Sequence, residues 1–234
     1  MIAREINVID MYHGNAVKTS DFVALKANGV FAIIHKASQG SHYTDPFYAQ
    51  RKQAAQAAGL LWGAYHFLDA SNVNDQVSNF LSVAVTDPGA DPILLACDYE
   101  NSNSQPSLQQ LYQFMAQVDR LSPPGVQCAL YSGNLIRETL RPQAGGHQDQ
   151  TMVGVETFFQ QHRLWLAEYG PKENIPWPWN SSIVKSSDQS TAIPPPGVFL
   201  WQFTENARMR PLVGATDGNF FDGSFEDLQK RWLA

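Results

Sequence analysis

Charge is scarce in this sequence: Lys, Arg, Asp and Glu make up 16% of its 234 residues, and nowhere do five Lys or Arg run together. With a formal net charge of −6 there is no basic surface to neutralise a phosphate backbone or anionic lipid, so nucleic acid is not expected as a partner. Long apolar runs are missing too. No segment reaches 18 consecutive apolar residues, so no membrane span is expected. The opening stretch, MIAREINVIDMY, lacks a basic region followed by an apolar one and a small-residue cleavage site, so no signal peptide is read there. Cysteine is nearly absent. Cys97 and Cys128 lie in the apolar runs ILLACDYE and VQCALYSG, the setting of reduced core thiols, and neither has neighbours at metal-ligand spacing.

Apolar residues are plentiful, at 44% with 12% aromatic, so a sizeable core can form. The length suits one (β/α) barrel, and the chain is read as a single catalytic domain over 1–234. Residues 6–12 form a β-rich run, 20–29 a helix stopped at Asn-Gly, and 30–38 a second strand. The pattern repeats with a helix over 45–59, a strand over 60–68, a helix over 73–85 and a strand over 92–100. That last strand is apolar almost throughout, as strands of a parallel sheet buried on both faces are. A helix over 107–121 and a strand over 126–133 complete the regular part. Such alternation points to parallel strands with right-handed crossovers, and a TIM-type barrel is favoured over an open sheet. Beyond about residue 140 only two strands stand out, LWLAEYG and VFLWQFT, among Pro-, Gly- and polar-rich stretches. The second half is therefore expected to be irregular and poor in helices.

Residues two apart on a strand share a face, so in CDYE the carboxyls of Asp98 and Glu100 point one way while Cys97 and Tyr99 point the other. They sit where the apolar strand meets the polar loop NSNSQPS, the end of a barrel strand that carries catalytic groups. Two close acids raise one another's affinity for a proton, as a glycosidase acid requires. Other strand ends add polar or aromatic groups: Asp10, His35 with Lys36, Tyr65 with His66, Tyr131, and Trp201 with Gln202. Each has a structural reading, as cap or core aromatic, but together they converge on one rim as a sugar cleft requires.

These residues resemble glycoside hydrolase family 25 lysozymes, with six blocks in the family's order. They are VID at 8–10, FAIIHKASQGSHYTDPFYAQRKQAAQAAGLLWGAYHF, ILLACDYE, ALYSG, LWLAEYG, and WQFT followed by VGATDGNFFDGS. The resemblance implies hydrolysis of the β-1,4 bond between N-acetylmuramic acid and N-acetylglucosamine in peptidoglycan, at the cell wall, without metal or organic cofactor. It implies Glu100 as general acid and base. Asp98 would assist attack by the substrate's own N-acetyl group, Asp10 and Asp217 would tune the pair, and Tyr65, Tyr131, Trp201 and Gln202 would contact or shape the sugar site. In such substrate-assisted enzymes carboxyl spacing does not report stereochemistry. Two departures stand out: MYHGN replaces the family's usual Ser and Gln-Gly after the first Asp, and the loop over 171–197, with WPW and PPP, is long. Two other readings remain open here. One is a hydrolase of another N-acetylhexosamine polymer such as chitin, although the D-x-x-D-x-D-x-E spacing of chitinases is missing. The other is an inactive cell-wall-binding module of the same fold, against which the presence of Asp10, Asp98, Glu100 and Asp217 together counts.

Overall fold

The computed structural model describes residues 6–85, 92–100, 102–133, 136, 155–169, 174–176, 183–185 and 198–233. In chain order the elements are β1 (Val8–Met11), α1 (Asp21–Ala27), β2 (Ala32–Gln39), β3 (Tyr43–Thr44), α2 (Tyr48–Ala57), β4 (Leu61–Phe67), α3 (Val73–Ala84), β5 (Leu94–Asp98) and α4 (Leu108–Leu121). They continue with β6 (Ala129–Ser132), α5 (Val155–Gln160), β7 (Leu164–Ala167), β8 (Asn174–Pro176), β9 (Ile183–Lys185), β10 (Val198–Ala207), β11 (Thr216–Phe220) and α6 (Phe225–Arg231).

Eight strands close into a barrel in the order β1, β2, β4, β5, β6, β7, β10, β11, with β11 returning to β1. Closure removes the exposed edges of an open sheet. Period-2 alternation divides the side chains into two cores. Val8, Ala32, Ile34, Leu94, Ala96, Ala129, Trp165 and Leu200 belong to the inner one. Ile9, Ile33, Leu95, Cys97 and Leu130 face outward, where the helices cover them. Helix α3 presents Val73, Gln76, Val77, Phe80 and Ala84 to this outer layer, and α4 presents Leu111, Phe114, Met115 and Val118, the spacing of a one-sided apolar stripe. Ser107 begins α4 with a capping box to Gln110, a device worth about 1 kcal/mol.

The first half follows the alternation expected from the sequence. The barrel's last strand does not: β11 runs antiparallel to both β1 and β10. Its central residues, Asp-Gly-Asn, are poor strand formers and look like a turn. Ladder bonds on both sides hold them extended. Gly218 is required there, because a Cβ would lie 2.9 Å from Ile6 Cδ1 and 3.1 Å from Ala207 Cβ. Strand β2 ends at Gln39, one residue past its expected end, and its last residues pair with β3. In the second half the described helices are short, six residues in α5 and seven in α6. Of the 171–197 loop, the described part is the β8–β9 ladder; WPW and PPP lie outside the described residues. Cys97 and Cys128 are buried and unpaired.

Candidate active site

Four acids meet inside one end of the barrel. Asp98 closes β5 on its inner face, and Glu100 follows two residues later in the same direction. Asp10 lies on β1 opposite Asp217 of β11 in the antiparallel register. The Tyr65 phenol ties the four together: burial raises its pKa first, then the fields of Asp98, Asp10, Asp217 and Glu100. Tyr131 is raised in the same way, by burial and then by Asp98, Asp10 and Glu100.

A hydrogen-bond web fixes this end of the barrel. Asp10 Oδ2 accepts from Gln202 Nε2 at 2.9 Å and from Asn219 Nδ2 at 2.7 Å. Gln202 Oε1 in turn accepts from the hydroxyls of Tyr131, at 2.9 Å, and Tyr169. Asn219 Oδ1 accepts from Trp165 Nε1 at 2.6 Å, and the Trp165 ring packs edge-on against Tyr131 with centroids 4.5 Å apart. Every amide in the web has its orientation set by at least two partners, which makes the cleft floor rigid.

Burial is the main force on the carboxyls, since a charge removed from water favours its neutral form. It raises Asp98 well above the ordinary carboxylate range, reinforced by the charge of Glu100. Glu100 is raised as well, by burial, while the Lys36 ammonium pulls it back. Crowding the two acids into a site shielded from water therefore favours the protonated form in both. Asp98 Oδ1 is buried and has no hydrogen-bond partner among the described residues. Lys36 Nζ donates to Gln39 Oε1 at 2.5 Å and lies 4.7 Å from the Phe67 ring centroid, so it is held in place beside the pair.

The second pair has a measurable consequence. Burial pushes Asp10 to about 6 and Asp217 to about 8, from an ordinary 3.8, and the charge of Asp10 adds to the shift of Asp217. An acid whose folded value is raised stabilises the fold below its unfolded value and loses that contribution as pH rises through the folded one. The Asp217 contribution is therefore full below about pH 4 and gone above about pH 8. His35 and His66, lowered by burial to about 4, act oppositely as pH falls below 6.5. Comparison with Asp217→Asn isolates the carboxyl: thermal melting of the variant should gain on the wild type steadily from pH 4 to pH 8. A constant offset between the two would refute the assignment.

Of the residues singled out from sequence, Asp10, Asp98, Glu100, Asp217, Tyr65, Tyr131 and Gln202 come together in this cleft. Trp201 does not. It is buried in the outer core, its Nε1 donating to the Glu168 carbonyl at 2.9 Å. Adjacent strand residues face opposite ways, so with Gln202 inside, Trp201 must lie outside. The same rule turns His66 outward beside Tyr65, where it stacks on Phe114 and bonds Ser38 and Gln76. His35 packs on Trp62 and meets Arg51. Lys36, named at a strand end from sequence, does reach the acids, and two residues belong to the cleft without having been named at all: Tyr169 and Asn219. Lys36 continues the inner-face series Ala32, Ile34, a signal available from period-2 counting alone.

The sequence pattern of glycosyl hydrolases family 25 matches residues 9–211 of the chain. YegX of Escherichia coli (strain K12) is 24% identical over 212 residues, 88% of this chain and 65% of YegX. The autolytic lysozyme of Clostridium acetobutylicum is 36% identical over 170 residues, 71% of this chain and 46% of that protein. The chain thus spans less than two thirds of either relative. The solved structure of a family 25 glycosyl hydrolase from Bacillus anthracis has the same fold, with TM-score 0.68 and 17% identity over 100% of this chain and 96% of that one.

Proposed function

The chain belongs to glycosyl hydrolases family 25, and on that premise we propose that it is a lysozyme-type muramidase acting on bacterial peptidoglycan at the cell wall. The bond cleaved is the β-1,4 linkage from N-acetylmuramic acid to N-acetylglucosamine. The observation that carries this reading is buried Asp98 beside half-buried Glu100, a setting that raises the proton affinity of both and leaves Asp98 Oδ1 unpartnered.

Substrate binding completes the pair. The N–H of the acetamido group on the sugar to be attacked donates to Asp98 Oδ1. That hydrogen bond favours the Asp98 carboxylate, so the proton of the pair is held on Glu100. Glu100 then protonates the glycosidic oxygen as the bond to the anomeric carbon breaks. The acetamido carbonyl oxygen, oriented and made more nucleophilic by Asp98, forms the new bond to that carbon. Water subsequently opens the cyclic intermediate, giving its proton to Glu100, which returns to its acid form. Lys36 keeps Glu100 from remaining protonated between these steps, while Asp10, Asp217, Tyr65, Tyr131 and Gln202 shape the floor on which the sugar rests. No metal or organic cofactor enters this scheme.

Digestion of purified sacculi tests the reaction class. The soluble products should carry new reducing sugar ends at each cut. New free amino groups without reducing ends would mean an amidase or peptidase, and intact binding without any release would mean a wall-binding module.

A further inference from the structure

Where MYHGN replaces the usual residues after Asp10, the structure spends buried charge on holding an exposed surface. Asp45, itself buried, accepts from the backbone N–H of His13 at 2.8 Å and lies 3.2 Å from its ring Nδ1. Buried Arg51 donates to the carbonyls of Tyr12 and Asn15, both at 2.8 Å. The fastened His13 ring meets the Tyr43 hydroxyl at 2.8 Å. Tyr43 stands in the short strand β3, a hairpin arm that would be mobile unaided. Asn79 Nδ2 pins this hairpin by donating to the carbonyls of Gly40, at 2.9 Å, and Tyr43, at 3.0 Å. Yet the Tyr43 side chain so carefully fixed is 39% exposed.

One side of Tyr43 walls a depression of about 410 Å³, lined also by Gln39, Ser41, His42, Asp69 and Ser71. Lys36 links it to the acids: its ammonium bonds Gln39, lies 5.8 Å from the Tyr43 ring centroid, and feels the charges of Asp98 and Glu100. Lys36 thus stands between the depression and the acid pair. Its make-up, one aromatic wall among hydroxyl, amide and carboxylate groups, suits a ligand with an apolar face and a polar rim. A pyranose ring with its hydroxyls has that form.

We propose that this depression is an additional saccharide subsite, in which one N-acetylhexosamine residue of the glycan strand, beyond the two flanking the scissile bond, packs on Tyr43. The assignment rests on the muramidase reading for its ligand class. The brace from Asp45 and Arg51 through His13 sets the Tyr43 ring before the ligand arrives, so that little conformational entropy is lost on binding.

The test titrates peptide-free glycan strands, prepared by stripping stem peptides from sacculi, into Glu100→Gln and into the same protein carrying Tyr43→Ala or Ser41→Trp. Loss of the ring, or filling of the depression, should each raise Kd roughly three- to tenfold. Tyr43→Phe, which keeps the ring and loses only its tether, should cost less. Unchanged affinity in both Tyr43→Ala and Ser41→Trp overturns the subsite, as does failure of Glu100→Gln to bind strands at all. An effect confined to stem-bearing fragments overturns the saccharide assignment in favour of peptide. Wild-type turnover of the same strands separates the two claims: cleavage with Tyr43-independent binding sinks the subsite alone, and Tyr43-dependent binding without cleavage sinks the hydrolase alone.

Discussion

Glu100→Gln should lower the rate of sacculus digestion by roughly 100- to 10,000-fold, the range expected when a positioned general acid is removed. The amide fills the same space, but it has no acidic proton to give the leaving oxygen and cannot take one from water. Stability should hardly suffer. Burial raises the pKa of Glu100, so the native site already favours an uncharged group there. Circular dichroism and thermal melting close to wild type, alongside the lost rate, would separate chemistry from folding. Asp98→Asn should also be slow, for a different reason: the amide oxygen can accept the substrate N–H but carries no charge to favour the acetamido attack. Its remaining activity should depend on pH differently, because Glu100 no longer shares the site with a second ionisable acid. An Asp98→Asn profile superimposable on the wild type would contradict the coupling.

Trp165→Ala is expected to produce the largest loss of stability in the cleft, about 3–5 kcal/mol by the measure of large-to-small aromatic substitutions in cores. Trp165 is buried inside the barrel, packed against Tyr131 and Tyr65 with centroids 4.5 and 6.3 Å away. The substitution opens a cavity and strands Asn219 Oδ1 without its indole donor. Activity should fall in the surviving folded protein, because Asn219 and Tyr131 lead directly to Asp10 and Gln202. Trp165→Phe divides the effect. It retains most of the volume but leaves the Asn219 oxygen unpaired, at a cost of about 1–3 kcal/mol. Urea unfolding of the three proteins measures both. A Trp165→Ala midpoint within error of wild type would mean that the ring does not hold the barrel interior as described.

The acid pair was legible in the sequence because strand β5 announces itself. Five consecutive buried residues, Leu94 to Asp98, leave no ambiguity about where the strand lies, and period 2 then puts Asp98 and Glu100 together. The barrel class was legible for a similar reason, since apolar strands alternate with helices that carry clear stripes and caps. Trp201 was misplaced at the rim through being counted with its neighbour: two adjacent strand residues cannot both face inward, and the polar one took the interior because Asp10 needed a donor. Strand β11 was hidden because its inner face is polar. Asp217 and Asn219 serve the acid cluster rather than the apolar core, so the usual apolar alternation is missing where function is concentrated. The Tyr43 brace was beyond reach of any local pattern. It joins residues 13, 43, 45 and 51, and only the packing of β1, β3 and α2 brings them together.

The most direct measurement is the identity of the reducing ends. Wild-type protein and Glu100→Gln are incubated with purified sacculi, the released fragments are reduced with borohydride, and their ends are assigned by mass spectrometry. Fragments ending in reduced N-acetylmuramic acid, absent with Glu100→Gln, are the predicted result. Fragments ending in reduced N-acetylglucosamine, or release that persists undiminished in Glu100→Gln, would contradict it.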